Sequence, residues 1–410
     1  SSSSSSSSSS APSSSSAKKR MGSKDVVLNS LWFSLFVPTF AYSSKLLSHL
    51  LSKTSLFSPP VADALGSSLA SFSILLERQD WVRVYLSQYL FVRGLESIYN
   101  QSKANKGWMW KYFGSWSHSH MFLFMIVCGQ AMYAYVMRPT SIPNSYYRFI
   151  RSSGPVHETA LQATRDSERG KELDFEKLNE WAKSKNPAFK HYEEGGEREK
   201  EREKEREKME KMLLQNGRPK YLSCIFFHPQ TTSCFQGSFD AWWGCFKRVF
   251  GMYFFISTIP MILRNGVGYV SQNKMLVFKS ILNSAFRHTM FLSTFVYVFQ
   301  VGACSFNKLF EMDIMEPHRL RFWLIGFFSG LSSYFETASG IVAFNVYGIP
   351  KIGESIYTIL CDRYPDYVKR VPLGELGLFM IGSALSVYYF RTNPSVLGPN
   401  SLMLMKWLFQ

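Results

Sequence analysis

Long apolar segments with few charges recur along the chain. The clearest of these segments cover 119–137, 249–263, 289–306, 322–349 and 376–390. Crossing about 30 Å of hydrocarbon takes about 20 largely apolar residues, because an α-helix rises about 1.5 Å per residue. A buried helix of a soluble domain explains one such segment, but it does not explain five in one chain. The pattern therefore predicts a polytopic integral membrane protein with an all-α fold.

Three further apolar segments are weaker because they contain Lys45 or arginines. They cover 26–47, 61–76 and 81–98. Together with the clear segments, they predict up to four helices in each half of the chain. These are an apolar helix, a short helix rich in small residues, an amphipathic helix and a final apolar helix.

One strongly polar insert interrupts this pattern. Positions 151–220 hold 33 of the 76 charged residues, which leaves 43 charged residues among the other 340 positions. The rest of the chain therefore has roughly half the fraction of charged residues that is usual in a soluble protein. The mean hydropathy of -0.08 is an average over apolar segments and one polar insert. Within the insert, the run from Glu197 to Lys208 alternates in sign and lacks apolar a and d positions. It favours a solvated helix or linker over a coiled coil.

The positive charge of the chain is spread thinly. The net charge is +16, but no segment has the concentrated basic face that nucleic-acid binding requires. Basic residues beside apolar segments are typical of membrane helices. The six cysteines have no regular spacing, which favours a reducing or organellar environment over a disulfide framework. We therefore expect the lipid bilayer, and not nucleic acid, to be the main partner.

An ordered set of motifs occurs twice, at offsets of 254 to 259 residues. The shared order and the near-constant offset predict an internal duplication, and repeated membrane folds commonly place their function between the halves. The matched residues that carry charge or an aromatic hydroxyl are Glu77, Tyr89, Arg93 and Glu96 in the first copy and Glu336, Tyr347, Lys351 and Glu354 in the second.

The duplication and the change in composition divide the chain into five segments. A serine-rich tail over 1–25 cannot bury apolar surface and is predicted to be disordered. The other segments are a first membrane repeat over 26–150, the charged linker over 151–220, a cysteine-containing segment with an apolar helix over 221–270, and a second membrane repeat over 271–410.

Small residues four positions apart occur at matching places in the two repeats. The pairs are Gly66 with Ala70 and Gly326 with Gly330. Small residues at this spacing let helix backbones approach closely in lipid, so we predict that these pairs pack helices together.

The matched charges have structural and functional interpretations. Glu336 lies inside the apolar segment 322–349, where an unpaired carboxylate is costly. Because the matching Glu77 precedes two more charged residues, a turn between short helices is favoured over a carboxylate that faces a cavity or pathway. The basic and acidic residues of each repeat motif are three positions apart and are expected to neutralise each other rather than to catalyse.

Cys224, His228, Cys234 and Cys245 form the pattern C-x3-H-x5-C-x10-C before an apolar helix. Thiolates and imidazoles bind zinc, but short paired motifs such as C-x2-C are absent, so a local fold element is favoured over a zinc or redox site. The chain contains no GxSxG, HExxH or P-loop motif. We predict no catalytic residue, no cofactor and no enzyme activity, with these four residues as the only metal candidates.

The order of motifs resembles that of a known family. The run from Cys224 through His228 to Cys234, the apolar helix after it, Arg264 and then Leu282-Asn-Ser are similar to the cysteine-rich segment of the transmembrane protein 135 family. The stretch 71–96 resembles that family's repeated helical hairpin. The resemblance covers 26–150 and 221–410, but not the charged insert. It implies a multi-pass protein of peroxisomal and mitochondrial membranes that acts in lipid homeostasis and organelle dynamics, without catalytic residues to carry over.

Three functions remain open at this point. The favoured one is a non-enzymatic organelle membrane protein whose two halves enclose a solute or lipid pathway or scaffold other membrane components. The second is a membrane-embedded enzyme that uses a metal or thiol of the Cys/His segment. The third is an organelle tether that acts through the charged insert. A homo-oligomer or a complex with other membrane proteins is compatible with each of them.

Overall fold

The computed structural model describes residues 23–154, 156–169, 233–311, 318–369 and 371–409, together with ten single positions between 171 and 231. These residues form helices and turns, and no β-strand occurs among them, which confirms the predicted all-α fold. The serine-rich tail up to position 22 and the alternating run from Glu197 to Lys208 lie outside the described residues.

Short connections join most of the helices of the described residues, except that 65 residues separate the sixth helix from the seventh. In chain order the helices are α1 (Ser23–Lys53), α2 (Pro59–Ala70), α3 (Asp80–Ala104), α4 (Ser119–Met137), α5 (Asn144–Ser153), α6 (Glu158–Glu168), α7 (Cys234–Gln272), α8 (Lys274–Glu311), α9 (Arg321–Ser329), α10 (Ala338–Arg363), α11 (Gly374–Thr392) and α12 (Pro399–Phe409). Short 3-10 turns cover Ser71–Leu76, Pro139–Ser141, Gly330–Phe335 and Pro394–Val396, and a π-helical turn covers Trp110–Gly114.

Local chemistry explains several of these boundaries. Pro59 begins α2, where the missing backbone N–H is not needed for helix bonds. The Thr337 side chain accepts a hydrogen bond from the Gly340 backbone N–H and caps the start of α10. Pro139 and Pro394 begin the 3-10 turns that follow α4 and α11, because a proline restricts the residue before it and ends a helix there.

The same order of elements occurs before and after the charged insert. A long helix (α1 or α8) precedes a short helix (α2 or α9) and a 3-10 turn of 6 residues. A helix of 25 or 26 residues (α3 or α10) comes next, and a helix of 19 residues follows (α4 or α11). Each series ends with a 3-10 turn of 3 residues and a short helix (α5 or α12).

The chain divides into two compact units, one formed by Ser1–Ile98 with Leu373–Gln410 and the other by Tyr99–Pro372. The first unit thus combines α1, α2 and most of α3 with α11 and α12. The second unit contains α4 to α10. Each unit therefore draws helices from both sides of the insert.

The core of the first unit lies between α1, α3 and α11. The ring centroids of Phe36 and Phe40 in α1 lie 6.0 and 5.5 Å from that of Phe379 in α11. A β-carbon at Gly382 of α11 would lie 2.5 Å from the backbone nitrogen of Phe91 in α3. Such a distance leaves no room for a side chain, so the glycine is required for this helix crossing.

In the first unit, the predicted packing pair Gly66 and Ala70 lies on α2. Both residues are buried, and a β-carbon at Gly66 would lie 2.6 Å from the Ser48 backbone nitrogen in α1. The backbones of α1 and α2 therefore approach closely at this glycine.

The second unit is built around α4, which has 11 buried residues among its 19. The predicted packing glycines Gly326 and Gly330 lie where α9 and its 3-10 turn cross this helix. A β-carbon at Gly326 would lie 2.8 Å from the Cys128 carbonyl oxygen, and one at Gly330 would lie 2.8 Å from the Met125 Cα. These glycines bring the two backbones into direct contact.

In the part of the chain that the structure describes, three helical segments have the length and composition to cross a membrane. They are Pro59–Leu76, Ser119–Met137 and Lys274–Leu309. The prediction of membrane helices is confirmed at this coarse level, but the segments differ in part from the expected ones. The segment 61–76, expected to be weak, is among the three, whereas the long segment 322–349 does not form one span, because the 3-10 turn Gly330–Phe335 interrupts it.

Candidate functional site: an apolar cavity beside a Cys/His cluster

A cavity of about 520 Å³ lies within the second unit. Its walls come mainly from α4, α5, α8 and α10, with single residues from α6, α7 and α9, so two of the three candidate membrane spans line it. The lining is mainly aromatic and aliphatic, and includes Phe124, Tyr146, Phe291, Phe295, Phe299 and Phe344. A concave apolar site of this volume is typical of pockets for small organic ligands.

Small side chains hold part of this cavity open. Ala131 of α4 and Ala303 of α8 both line it and are buried. Gly348 of α10 also faces it, and a β-carbon there would lie 2.6 Å from a methyl group of Val127. Larger side chains at these three positions would fill the space or push its walls apart.

One polar side chain in the cavity wall has no partner for its donor. Gln300 of α8 is 2 % exposed, and its Nε2 atom makes no hydrogen bond with any described residue. Leaving a buried amide donor unpaired costs about 1 to 3 kcal/mol. A ligand with an acceptor oxygen would remove this cost. Gln300 also lines a smaller adjoining cavity of about 140 Å³, together with Phe227 and His228.

The first part of the charged insert packs on the end of α4. Arg165 of α6 is 3 % exposed and donates from Nε to the Val136 carbonyl at 2.7 Å and from Nη2 to the Tyr135 carbonyl at 3.2 Å. These bonds satisfy carbonyls in the last turn of α4, where a positive charge is favourable. Glu158 neutralises the guanidinium, with an Nη1–Oε1 distance of 2.9 Å.

A cluster of three cysteines and one histidine lies beside the smaller cavity. The Sγ atoms of Cys224, Cys234 and Cys304 and a ring nitrogen of His228 all lie within 4.8 Å of one another. Backbone hydrogen bonds from Phe227 and His228 to the Cys224 carbonyl form a helical turn, which places Cys224 and His228 on one face.

The other two members of this cluster come from the neighbouring helices. Cys234 is the first residue of α7, and Cys304 lies in α8. Cys224 also accepts a hydrogen bond from Asn307 Nδ2 at 3.6 Å. The neighbouring Cys304 thiol, followed by His228 and Asn307, holds the pKa of Cys224 below its usual value, although burial acts in the opposite direction. The cluster is therefore a place where a thiolate is stabilised.

The structure assembles three of the four predicted Cys/His residues and replaces the fourth. Cys245 is fully buried in a separate apolar cluster with Ala241, Val249 and Val296, and Cys304 takes its place. Sequence reasoning missed Cys304 because it lies about 70 residues away within an apolar segment, where a cysteine is an ordinary small apolar residue.

The two matched glutamates occupy the same place in their series of elements. Glu77 and Glu336 each follow the 3-10 turn of 6 residues. The Glu77 carboxylate accepts from the Gln79 backbone N–H at 2.9 Å, and the Glu336 carboxylate accepts from the Thr337 backbone N–H at 2.9 Å. Glu336 is further bonded by His288 and by Arg287, whose Nη2 lies 3.2 Å from Oε1. Both carboxylates thus accept backbone hydrogen bonds at a turn, Glu336 is also paired with basic side chains, and neither lines the large cavity.

The other matched residues also make local pairs. Nη1 of Arg93 lies 2.7 Å from Oε2 of Glu96, and Nζ of Lys351 lies 3.6 Å from Oε2 of Glu354. The Arg93 guanidinium also lies 5.2 Å from the centroid of the Tyr89 ring.

Among the eight matched residues that carry charge or an aromatic hydroxyl, Tyr347 alone lines the apolar cavity. Its ring centroid lies 6.3 Å from that of Tyr146, another wall residue.

Comparisons of the chain with models of protein families, with curated proteins and with solved structures find no match. The resemblance in motif order to the transmembrane protein 135 family therefore stays a prediction.

Proposed function

We propose that the protein is a non-enzymatic integral membrane protein whose second unit binds a lipid acyl chain between α4 and α8. The observation that carries this proposal is the apolar cavity of about 520 Å³, because it lies between two helices with the composition of membrane spans. A ligand that reaches this site from the bilayer does not have to leave an apolar environment. Burial of its methylene groups contributes about 0.8 kcal/mol each relative to water.

The outer surface of the second unit supports a bilayer environment. Large apolar side chains of α7 and α8 are 48 % to 79 % exposed, and they include Phe255, Ile256, Ile259, Met275, Leu276, Phe278 and Phe286. Soluble monomers rarely expose apolar side chains in such number on adjoining helices. Lipid contact explains their exposure.

Gln300 gives the proposed site a polar end. Its unpaired Nε2 donor faces the position where an ester or carboxyl oxygen of a lipid would accept a hydrogen bond. A neutral hydrogen bond of this kind contributes about 0.5 to 1.5 kcal/mol. The proposed ligand is therefore an acyl chain that carries a carbonyl group, and not a plain hydrocarbon.

We further propose that the fold consists of two duplicated helical units that have exchanged their fourth helices. The repeated order of elements supports this origin. The fourth helix of the first series, α4, packs with α8, α9 and α10, and the fourth helix of the second series, α11, packs with α1, α2 and α3. The motif offsets match Leu90 with Gly348 and Val127 with Gly382. A β-carbon at Gly382 would lie 2.6 Å from the Leu90 carbonyl carbon, and one at Gly348 would lie 2.6 Å from Val127. The same pair of matched positions is therefore in contact in both units. The glycine lies on the fourth helix of its series (α11) in the first unit and on the third helix of its series (α10) in the second unit.

Native mass spectrometry of the full chain in mild detergent tests the lipid proposal. We expect bound phospholipid or fatty acid on the wild-type chain and loss of it in Ala131→Phe, which fills the cavity. Leu123→Phe is the matched control, because Leu123 lies on the same helix, is 40 % exposed and does not line the cavity. Equal lipid retention by the two variants would contradict the proposal.

The Gln300 donor is tested separately. Gln300→Leu keeps the size of the side chain and removes the hydrogen bond, so affinity for a fatty acid should fall about two- to tenfold. Affinity for an alkane of the same length should not fall. A parallel loss for both ligands would mean that Gln300 shapes the cavity but does not bind a carbonyl.

We propose, from the motif order alone, that the membrane is peroxisomal or mitochondrial and that the protein acts in lipid homeostasis there. A tagged chain should then colocalise with markers of these organelles, and deletion should change their lipid composition. Residence in another membrane, with organelle lipids unchanged, would exclude this location.

A further inference from the structure

The Cys/His cluster has the donor set of a metal site and lies outside the proposed lipid cavity. Its four ligand atoms come from three parts of the chain: the turn that holds Cys224 and His228, the first residue of α7 and the C-terminal part of α8. Nothing in the lipid proposal uses these side chains. We propose that Cys224, His228, Cys234 and Cys304 bind one structural Zn²⁺ ion.

The separation of the ligand atoms fits a tetrahedral ion after a small contraction. With Zn–S bonds of about 2.3 Å, the ligand atoms of a tetrahedral site lie about 3.7 Å apart. All four atoms already lie within 4.8 Å of one another. Rotation of side chains covers this difference without moving the helices.

The histidine is oriented as a zinc ligand would be. Nδ1 of His228 lies 2.9 Å from the Thr231 carbonyl oxygen, which can only accept, so Nδ1 carries the proton and Nε2 has the free lone pair. His228 is 4 % exposed, and its Nε2 makes no hydrogen bond with any described residue. Zinc-binding histidines commonly donate their other nitrogen to a backbone carbonyl, which holds the ring in place.

Neighbouring groups complete the outer shell. Asn307 is buried and donates from Nδ2 to the Cys224 sulfur at 3.6 Å, an arrangement that favours a thiolate. Gly237 lies against the imidazole, since a β-carbon there would be 2.7 Å from the His228 Cγ. The ring is thus held between the Thr231 carbonyl and the first turn of α7.

The types and the number of the ligand atoms indicate which metal binds and whether the site is structural or catalytic. Three thiolates and one imidazole favour zinc over magnesium or calcium, which prefer oxygen ligands. Four protein ligands leave no open position for water or substrate, so the site is structural and not catalytic. Binding releases the protons of those thiols that are still protonated.

Zinc at this position would fasten the end of the charged insert to the helices of the second unit. Phe227 precedes a ligand and Gln300 lies one helical turn before another, and both also line the lipid cavity. The ion would therefore fix one wall of that cavity. The test of zinc binding does not depend on lipid binding, so the two proposals can fail separately.

Elemental analysis of the full chain, purified with reductant and without chelator, tests the proposal. We expect one zinc per chain in the wild type and background zinc in Cys224→Ser and Cys304→Ser. Cys245→Ser is the matched control, because Cys245 is a fully buried cysteine of α7 outside the cluster, and it should keep its zinc. Asn307→Leu should bind zinc about 10- to 100-fold more weakly, as expected for an outer-shell partner.

Two measurements separate metal binding from folding. His228→Cys supplies a different zinc ligand at the same place and should keep both the zinc and the wild-type elution volume. Replacement of zinc by Co²⁺ in the wild type should give the visible absorption of a tetrahedral thiolate complex. Absence of zinc and cobalt binding in a folded wild-type chain, or a disulfide between two of the three cysteines under reducing conditions, would overturn the proposal.

Discussion

Gly326 lies where α9 crosses α4, and its surroundings leave no space for a side chain. A β-carbon there would lie 2.7 Å from the Met132 Cβ and 2.8 Å from the Cys128 carbonyl oxygen. The carbonyl belongs to a helix backbone and cannot move aside. By contrast, a β-carbon at Gly353 of α10 would meet nothing within 4 Å. The two glycines therefore differ in what they contribute, although both lie in helices.

Gly326→Ala should destabilise the second unit by about 1 to 3 kcal/mol, because overpacking forces the two helices apart. Gly353→Ala should be neutral or should stabilise the protein by about 0.5 to 1 kcal/mol, because alanine is the better helix former. Thermal unfolding in detergent measures both effects. Equal behaviour of the two variants would show that α9 and α4 do not cross as described.

Glu158 predicts a pH dependence of stability. It accepts from the Tyr147 hydroxyl at 2.6 Å and pairs with Arg165 at 2.9 Å. Burial opposes ionisation, but these two partners outweigh it and lower the pKa of Glu158 below its usual value. A carboxyl with a lowered pKa stabilises the folded state above its unfolded pKa, and this contribution is lost as the pH falls through the folded value.

Glu158→Gln should therefore lower the melting temperature at pH 7, and the difference from the wild type should shrink as the pH falls below about 4.5. Asp366→Asn is a suitable control, because Asp366 is exposed and its replacement should have no effect at either pH. If the melting temperature of Glu158→Gln stayed below that of the wild type by the same amount down to pH 3, the loss of stability would come from altered packing and not from the lost charge.

At the residue scale, the sequence predicts local pairs well and distant ones poorly. Arg93 with Glu96 is three positions apart on one helix, so their contact follows from helix geometry. Cys304 joins Cys224 only because α8 passes beside the turn before α7. No spacing in the sequence indicates that approach, so the four metal candidates named from the sequence include Cys245, which lies in a separate apolar cluster, and not Cys304.

At the scale of elements, the long apolar segment 322–349 shows how a polar residue divides a hydrophobic run. Hydropathy places this segment among the clearest apolar ones, whereas the comparison of the two repeats favours a turn at Glu336, and the segment forms α9, a 3-10 turn and the start of α10. Glu336 and Thr337 accept backbone hydrogen bonds at this break. Hydropathy is averaged over a window of many residues, so it does not detect a helix cap that two side chains provide.

The position of α11 against the helices of the first repeat is a second element-scale result. The hydroxyl oxygens of Ser71 and Ser383 lie 2.8 Å apart although 312 positions separate them. Both residues are buried in the first unit. A small polar contact of this kind is typical of helix packing in membranes.

A double variant, Ser71→Cys with Ser383→Cys, should form a disulfide under mild oxidation. With a protease site in place of Glu197 to Lys208, the two cleaved halves should then stay together on a non-reducing gel. Ser71→Cys with Tyr388→Cys is the control, because Tyr388 is 36 % exposed on α11 and should not cross-link. Separation of the halves in the first variant would contradict the proposed exchange of α4 and α11.

At the scale of the whole molecule, composition predicts the division into polar and apolar segments, but not the contacts between them. In the first part of the charged insert, Arg165 and Arg169 donate to carbonyls at the end of α4. Arginine side chains that satisfy helix-end carbonyls look like ordinary surface charges in a sequence. The apolar cavity cannot be predicted from the sequence either, because it depends on how several helices meet.

The central claim is that the second unit lies in a bilayer and holds an acyl chain between α4 and α8. Photo-crosslinking in proteoliposomes with a phospholipid that carries a diazirine within its acyl chain tests this claim most directly. We expect adducts on cavity residues such as Phe295 and Phe299 and on exposed residues such as Phe255, with Ala131→Phe removing the first set and sparing the second. Adducts on exposed residues alone, or a cavity set that Ala131→Phe leaves unchanged, would contradict the account.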